Sequence, residues 1–156
     1  MSKNDHSLSF SLALGVGPKG FQKLLKLFGS AEKAWKKSSP EKYKEAGVGK
    51  VNFAKFDAFR KTFDAQEYLG KLRKARVKFI PYGDKYYPEQ LKKLENPPIG
   101  LFVKGNKKLL LEPNAIAVVG TRKITSYGRQ VTENLASELC SAGLVIVSGM
   151  ALGVDG

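Results

Sequence analysis

Cysteine is nearly absent. Cys140 is the only one in 156 residues, so no disulfide can form within the chain. On a helical stretch it is expected to be a small core residue rather than a reactive thiol. Histidine is equally scarce. His6 stands alone near the N-terminus, is expected to be exposed, and rules out a Ser-His-Asp set. No His/Cys/Asp grouping has the spacing of metal ligands. No run approaches the roughly 18–20 apolar residues of a membrane span. The opening Met-Ser-Lys-Asn-Asp-His lacks an apolar signal core. A cytosolic location is the expectation. Two nucleotide signatures are also missing. There is no Gly-x-x-x-x-Gly-Lys-Ser/Thr loop and no Gly-x-Gly-x-x-Gly at a strand end.

Acidic side chains are the other shortage. The chain has 14 against 27 Lys and Arg, a formal charge of +13. The surplus is uneven. Residues 1–113 hold 24 basic and 11 acidic residues, whereas residues 114–156 hold three of each. An excess of this size suggests a polyanionic partner.

What is present is organised around Ala115 to Asp155. Ala115-Ile116-Ala117-Val118-Val119 is a short apolar run bounded by Gly120, the pattern of a buried parallel strand. From about Tyr127 the period becomes helical, with Val131, Leu135, Leu139 and Ala142 on one face. Thr125 or Ser126 can cap that helix, and Gly143 suits its left-handed C′ position. Leu144-Val145-Ile146-Val147 is a second strand, ending at Ser148-Gly149. The unit has the length of a right-handed βαβ crossover, about 30 residues. Both strands then end at one sheet edge, where open α/β sheets bind ligands. The helix N-terminus and Arg122 both favour an anion there.

These residues also carry a resemblance. Val-Val-Gly-Thr-Arg-Lys-Ile-Thr-Ser-Tyr-Gly at 118–128, followed by Ser-Gly-Met-Ala-Leu-Gly-Val-Asp at 148–155, resembles the DNA-processing protein A family (DprA, also called Smf). Val154 stands where that family usually has Ile. Tyr87-Pro88-Glu89-Gln90-Leu91 and Pro97 to Gly105 are similar to the family's lead-in to the sheet. The resemblance implies a non-enzymatic cytoplasmic protein of natural transformation and competence. It would bind and protect incoming single-stranded DNA and help load RecA recombinase. It also implies a homodimer at full length, and several further βα units after the loop that stops here at Asp155-Gly156. The sequence is therefore expected to be a truncation of a longer chain.

Upstream, Leu8 to Leu14 and Phe21 to Phe28 read as helices separated by Gly15-Val16-Gly17-Pro18. Gly47-Val48-Gly49 repeats the turn thirty-two residues later, before a helical stretch expected to run from about Asn52 to Arg76. Paired turns of this kind resemble helix-hairpin-helix or sterile-alpha-motif-like domains. They are either phosphate-holding turns or simply left-handed helix connections, and both readings stand. Ser30–Lys37 and Pro40–Glu45 are shorter helices, with Trp35 a core anchor. Phe53, Phe56, Phe59 and Phe63 form a core stripe. Val77 to Tyr82 and Leu101 to Gly105 are strands, with a short helix from Tyr87 to Leu94 between them. The two strands are expected to start the sheet that continues at Ala115.

The expected fold is α/β. A small all-helical domain, 1–76, precedes the truncated first part of a Rossmann-like parallel sheet, 77–156. At its edge Arg122 and Lys123 would hold backbone phosphates. Thr121, Ser126 and Ser148, with N–H groups near Gly120, Gly128, Gly149 and Gly153, would complete an anion cradle. Tyr127 would either stack on a base or pack under the loop. Asp155 is expected to cap a following helix. No cofactor is expected, because Arg122 stands where dinucleotides need a glycine. The competing class is an enzyme that binds nucleotides or cleaves nucleoside monophosphates on a related sheet. These residues offer it no acid/base carboxylate pair.

Overall fold

A computed structural model describes residues 3–156, with side chains from Asp5 onward. The chain folds as two units, Met1–Leu110 and Leu111–Gly156.

The first unit opens with α1 (Lys3–Leu12), α2 (Pro18–Phe28), α3 (Ala31–Lys36), α4 (Pro40–Glu45), α5 (Lys50–Thr62) and α6 (Ala65–Lys74). Local signals set most of these ends. Gly29 closes α2 at φ 78°, the left-handed C-cap conformation. Ser30 accepts from the Lys33 N–H to cap α3, and Ser39 from that of Lys42 to cap α4. The core is aromatic. Phe10 and Phe56 stack at 5.3 Å, and Trp35 meets both edge-on at 5.2 and 5.3 Å. Tyr43 stacks on Phe56 at 4.9 Å and donates its hydroxyl to the Ala34 carbonyl at 3.0 Å. Its burial pushes the phenol pKa well up. Trp35 and the Phe stripe thus take the core roles their spacing predicts.

Three expectations change here. The helix expected over 52–76 is two helices. Phe63 is extended, and the Asp64 carboxylate accepts from Gln66 N–H at 2.7 Å and Glu67 N–H at 3.1 Å, starting α6. His6 is not exposed. α1 begins early enough to put it on the inner face one turn before Phe10, 1% exposed. Neither ring nitrogen has a hydrogen-bond partner among the described residues. The third concerns the strands. β1 (Val77–Pro81) and β2 (Gly100–Lys104), joined through α7 (Glu89–Lys92), form an antiparallel pair of their own. Phe79 faces Phe102, their rings 5.1 Å apart. Ile80 is buried, and Ile99 joins the aromatic core. β1 lies against α1 and α6, so this pair packs with the helices up to Leu110, past the boundary expected near Arg76.

The second unit is the βαβ crossover. β3 (Ala115–Ala117) and β4 (Val145–Val147) pair in parallel, Ile116 opposite Ile146, around α8 (Ser126–Ser141). Thr125 caps α8, and Gly143 takes φ 85° after it. Cys140, expected in a core, is exposed. The apolar face of α8 is only half-covered, with Val131 43% and Leu135 48% exposed. The mixed α/β class is as expected. Among the described residues, no helix is long and apolar enough to cross a membrane.

Candidate nucleic-acid interface

The site grows from the ends of β3 and β4. One further bond, Val118 N–H to the Val147 carbonyl at 3.0 Å, carries the pairing to Ser148. The Ser148 hydroxyl then bridges the loops, 2.9 Å from the Val118 carbonyl oxygen and 3.0 Å from that of Asp155.

Two glycines let the loops interlock. A Cβ on Gly120 would lie 2.7 Å from Val154 Cγ2. Gly153 has φ +97°, and a Cβ there would sit 2.1 Å from the Thr121 carbonyl oxygen. The closeness is used: Val154 N–H donates to that same oxygen at 3.1 Å. Asp155 completes the lock. Its carboxylate accepts from Gly120 N–H at 3.1 Å, and its Oδ2 lies 2.9 Å from where a Gly149 Cβ would stand. Asp155 is therefore a strut between the two strand-end loops.

This arrangement corrects the expected cradle. The N–H of Gly120 is held by Asp155 and that of Gly128 by the Thr125 hydroxyl at 3.1 Å. Neither is turned toward a ligand, because each closes the loop's own structure. The Thr121 hydroxyl is also engaged locally, accepting from Lys123 N–H at 3.2 Å.

Cationic and aromatic groups remain on the outside. Arg122 and Lys123 are exposed, and among the described residues neither makes an ion pair. Ser126 is exposed in the first turn of α8. Tyr127 is 78% exposed, which decides against packing under the loop. Thr121, Ser148, Gly149 and Gly153 gather at the strand ends, with Arg122, Lys123, Ser126 and Tyr127 along the rim. The sequence reading passed over Arg129. It lines a cavity of about 30 Å³ with Gly153, Val154 and Thr132. Its spacing from Ser126 puts it near the same helical end, a signal available from periodicity alone.

The site can hold an anion by exposed cations, and it can offer a base one aromatic ring. Two of its loop N–H groups, those of Gly120 and Gly128, are held within the loops' own structure.

The family described as DNA recombination-mediator protein A matches residues 78–156. A DNA processing protein DprA of Bacillus subtilis is 46% identical over 88 residues, covering 56% of this chain and 30% of that protein. A protein Smf of Synechocystis is 27% identical over 99% of this chain and 39% of its own length. The X-ray structure of DNA processing protein A from Streptococcus pneumoniae superposes with a TM-score of 0.69 at 26% identity. That match covers 99% of this chain and 51% of the other. The chain thus spans well under two thirds of these relatives.

Proposed function

The chain belongs to the DNA recombination-mediator protein A family, and we propose that the strand-end loops of its second unit hold the phosphate backbone of single-stranded DNA. This site would protect incoming DNA during natural transformation and present it for loading of RecA recombinase. The protein would act in the cytoplasm, as a homodimer, without catalysis or a cofactor. The family's description and the relatives' names, which speak of recombination and DNA processing, support this reading.

One observation carries it. Arg122 and Lys123 stand exposed on a loop whose backbone is locked by Gly120, Val154 and Asp155, and Tyr127 is exposed in the first turn of the helix that follows. Two cations can hold phosphates, and an exposed ring can stack on any base, since every base has a π-face. Phosphate contacts and ring stacking carry no sequence information, so binding in these roles should be indifferent to sequence. The locked backbone holds the cations in place before DNA arrives, which reduces the entropy lost on binding.

The test is a salt titration of binding to labelled single-stranded oligonucleotides of different composition. Arg122→Ala should weaken binding several-fold and equally across sequences. It should also lower the slope of log affinity against log salt by about 0.7, the loss of one phosphate contact. Unchanged affinity and slope would remove Arg122, and with it this site, from the reading.

A further inference from the structure

The basic surplus lies before residue 114, outside the site just described. Several helices of the first unit pair part of their basic charge locally. Lys36 pairs with Glu32, Arg60 and Lys61 with Asp57, Lys71 with Glu67, and Lys92 with Glu89, all one turn apart. Those charges are ordinary solvated faces with partners in place.

Helix α2 is different. Its sequence, Pro-Lys-Gly-Phe-Gln-Lys-Leu-Leu-Lys-Leu-Phe, has no acidic residue. Lys19, Lys23 and Lys26 recur at four and three, so they form one row down one face, all exposed. Opposite them Phe21 and Leu24 are buried, which fixes the row's direction. Lys19 reaches only Glu95, at 3.0 Å, with side chains 65% and 79% exposed, a pair that solvent screens. Among the described residues, Lys23 and Lys26 have no ion pair.

The row borders the second glycine turn. Lys23 Nζ lies 3.2 Å from where a Cβ of Gly47 would stand, and Gly47 has φ +79°. Lys23, Lys26 and Ala46, with Leu27 and Glu45, line an open cleft of about 360 Å³. Glu45 is the one acid in it. Beyond the turn, Lys50 begins α5 behind Gly49, which provides no side-chain cap.

We propose that the Lys19–Lys23–Lys26 row of α2, with the Ala46–Lys50 turn beside it, is a second contact surface for a nucleic-acid backbone. A protein partner would be expected to meet buried aromatic or arginine anchors. The cations of this face are all lysines, compact point charges one turn apart, suited to successive phosphates. The proposal rests on the proposed function only for the kind of polyanion.

The experiment uses the full chain and a labelled oligothymidylate. Lys23→Gln with Lys26→Gln should lower affinity about fivefold at low salt. The salt slope should fall by about 1.4, two contacts at roughly 0.7 each. Lys36→Gln, whose lysine is already paired, should change neither. In an Arg122→Ala background the double substitution should have the same proportional effect. If Arg122→Ala alone is silent while the lysine pair is not, the strand-end site fails and this surface stands. Unchanged affinity and slope in the double variant, or no measurable binding by the unaltered chain, would overturn the proposal. Equal displacement of the oligonucleotide by polyglutamate would also overturn it, in favour of an acidic protein partner. Both lysines are exposed, so the variants should stay folded, which far-ultraviolet circular dichroism would check.

Discussion

Gly153 is the residue on which the strand-end site is most exposed to a single change. Its φ of +97° suits glycine alone, and an added Cβ would overlap the Thr121 carbonyl oxygen that Val154 N–H needs. Gly153→Ala should therefore cost the second unit more than about 2 kcal/mol, combining backbone strain with a broken loop contact. Chemical denaturation followed by amide exchange at Val145 to Val147 measures this. A loss confined to a few tenths of a kcal/mol would mean that the loops are not interlocked as described. The residue types needed here were readable as a motif, since Gly120, Arg122, Ser148, Gly149 and Gly153 are all conspicuous in the sequence. The role of Asp155 was not. Its contact with Gly120 N–H spans thirty-five residues and depends on both strands ending together. For the same reason an anion cradle of free N–H groups was a reasonable expectation from types and spacing, yet two of those groups are already taken.

At the scale of elements, boundaries written in short-range chemistry were legible and those set by packing were not. Ser30, Thr125, Gly29 and Gly143 announce the ends of α3, α8, α2 and α8 again, each through its own backbone preference. The break between α5 and α6 had a signal too, since Asp64 and Glu67 have the spacing of a capping box. The apolar stripe running through Phe63 obscured it. Asp64→Ala should cost about 1 kcal/mol by releasing the first N–H groups of α6. It would be read as a lower thermal midpoint with unchanged helical content. No shift in midpoint would show that tertiary packing alone holds the break. The antiparallel pairing of β1 with β2 had no local signal. Both strands alternate as a sheet edge would, and only the burial of Ile80 and Ile99 against the helices decides their company.

For the whole molecule, charge and chemistry divide between the two units. The first concentrates the basic surplus and a complete aromatic core. The second holds three basic and four acidic residues and presents a few cations and one ring at the end of a two-stranded parallel sheet. That division explains why net charge pointed to a polyanion without locating its site. A total of +13 reports on the lysines of the helices, whereas Arg122, Lys123 and Tyr127 are informative through their position. The central claim, that the strand-end loops touch single-stranded DNA, is tested most directly by ultraviolet cross-linking of a photoreactive single strand to the intact chain, with the adducts mapped to residues. The account predicts adducts within Arg122 to Arg129, led by Tyr127, with α2 as the other labelled region. Adducts that avoid 122–129 while the chain demonstrably binds the strand would contradict it.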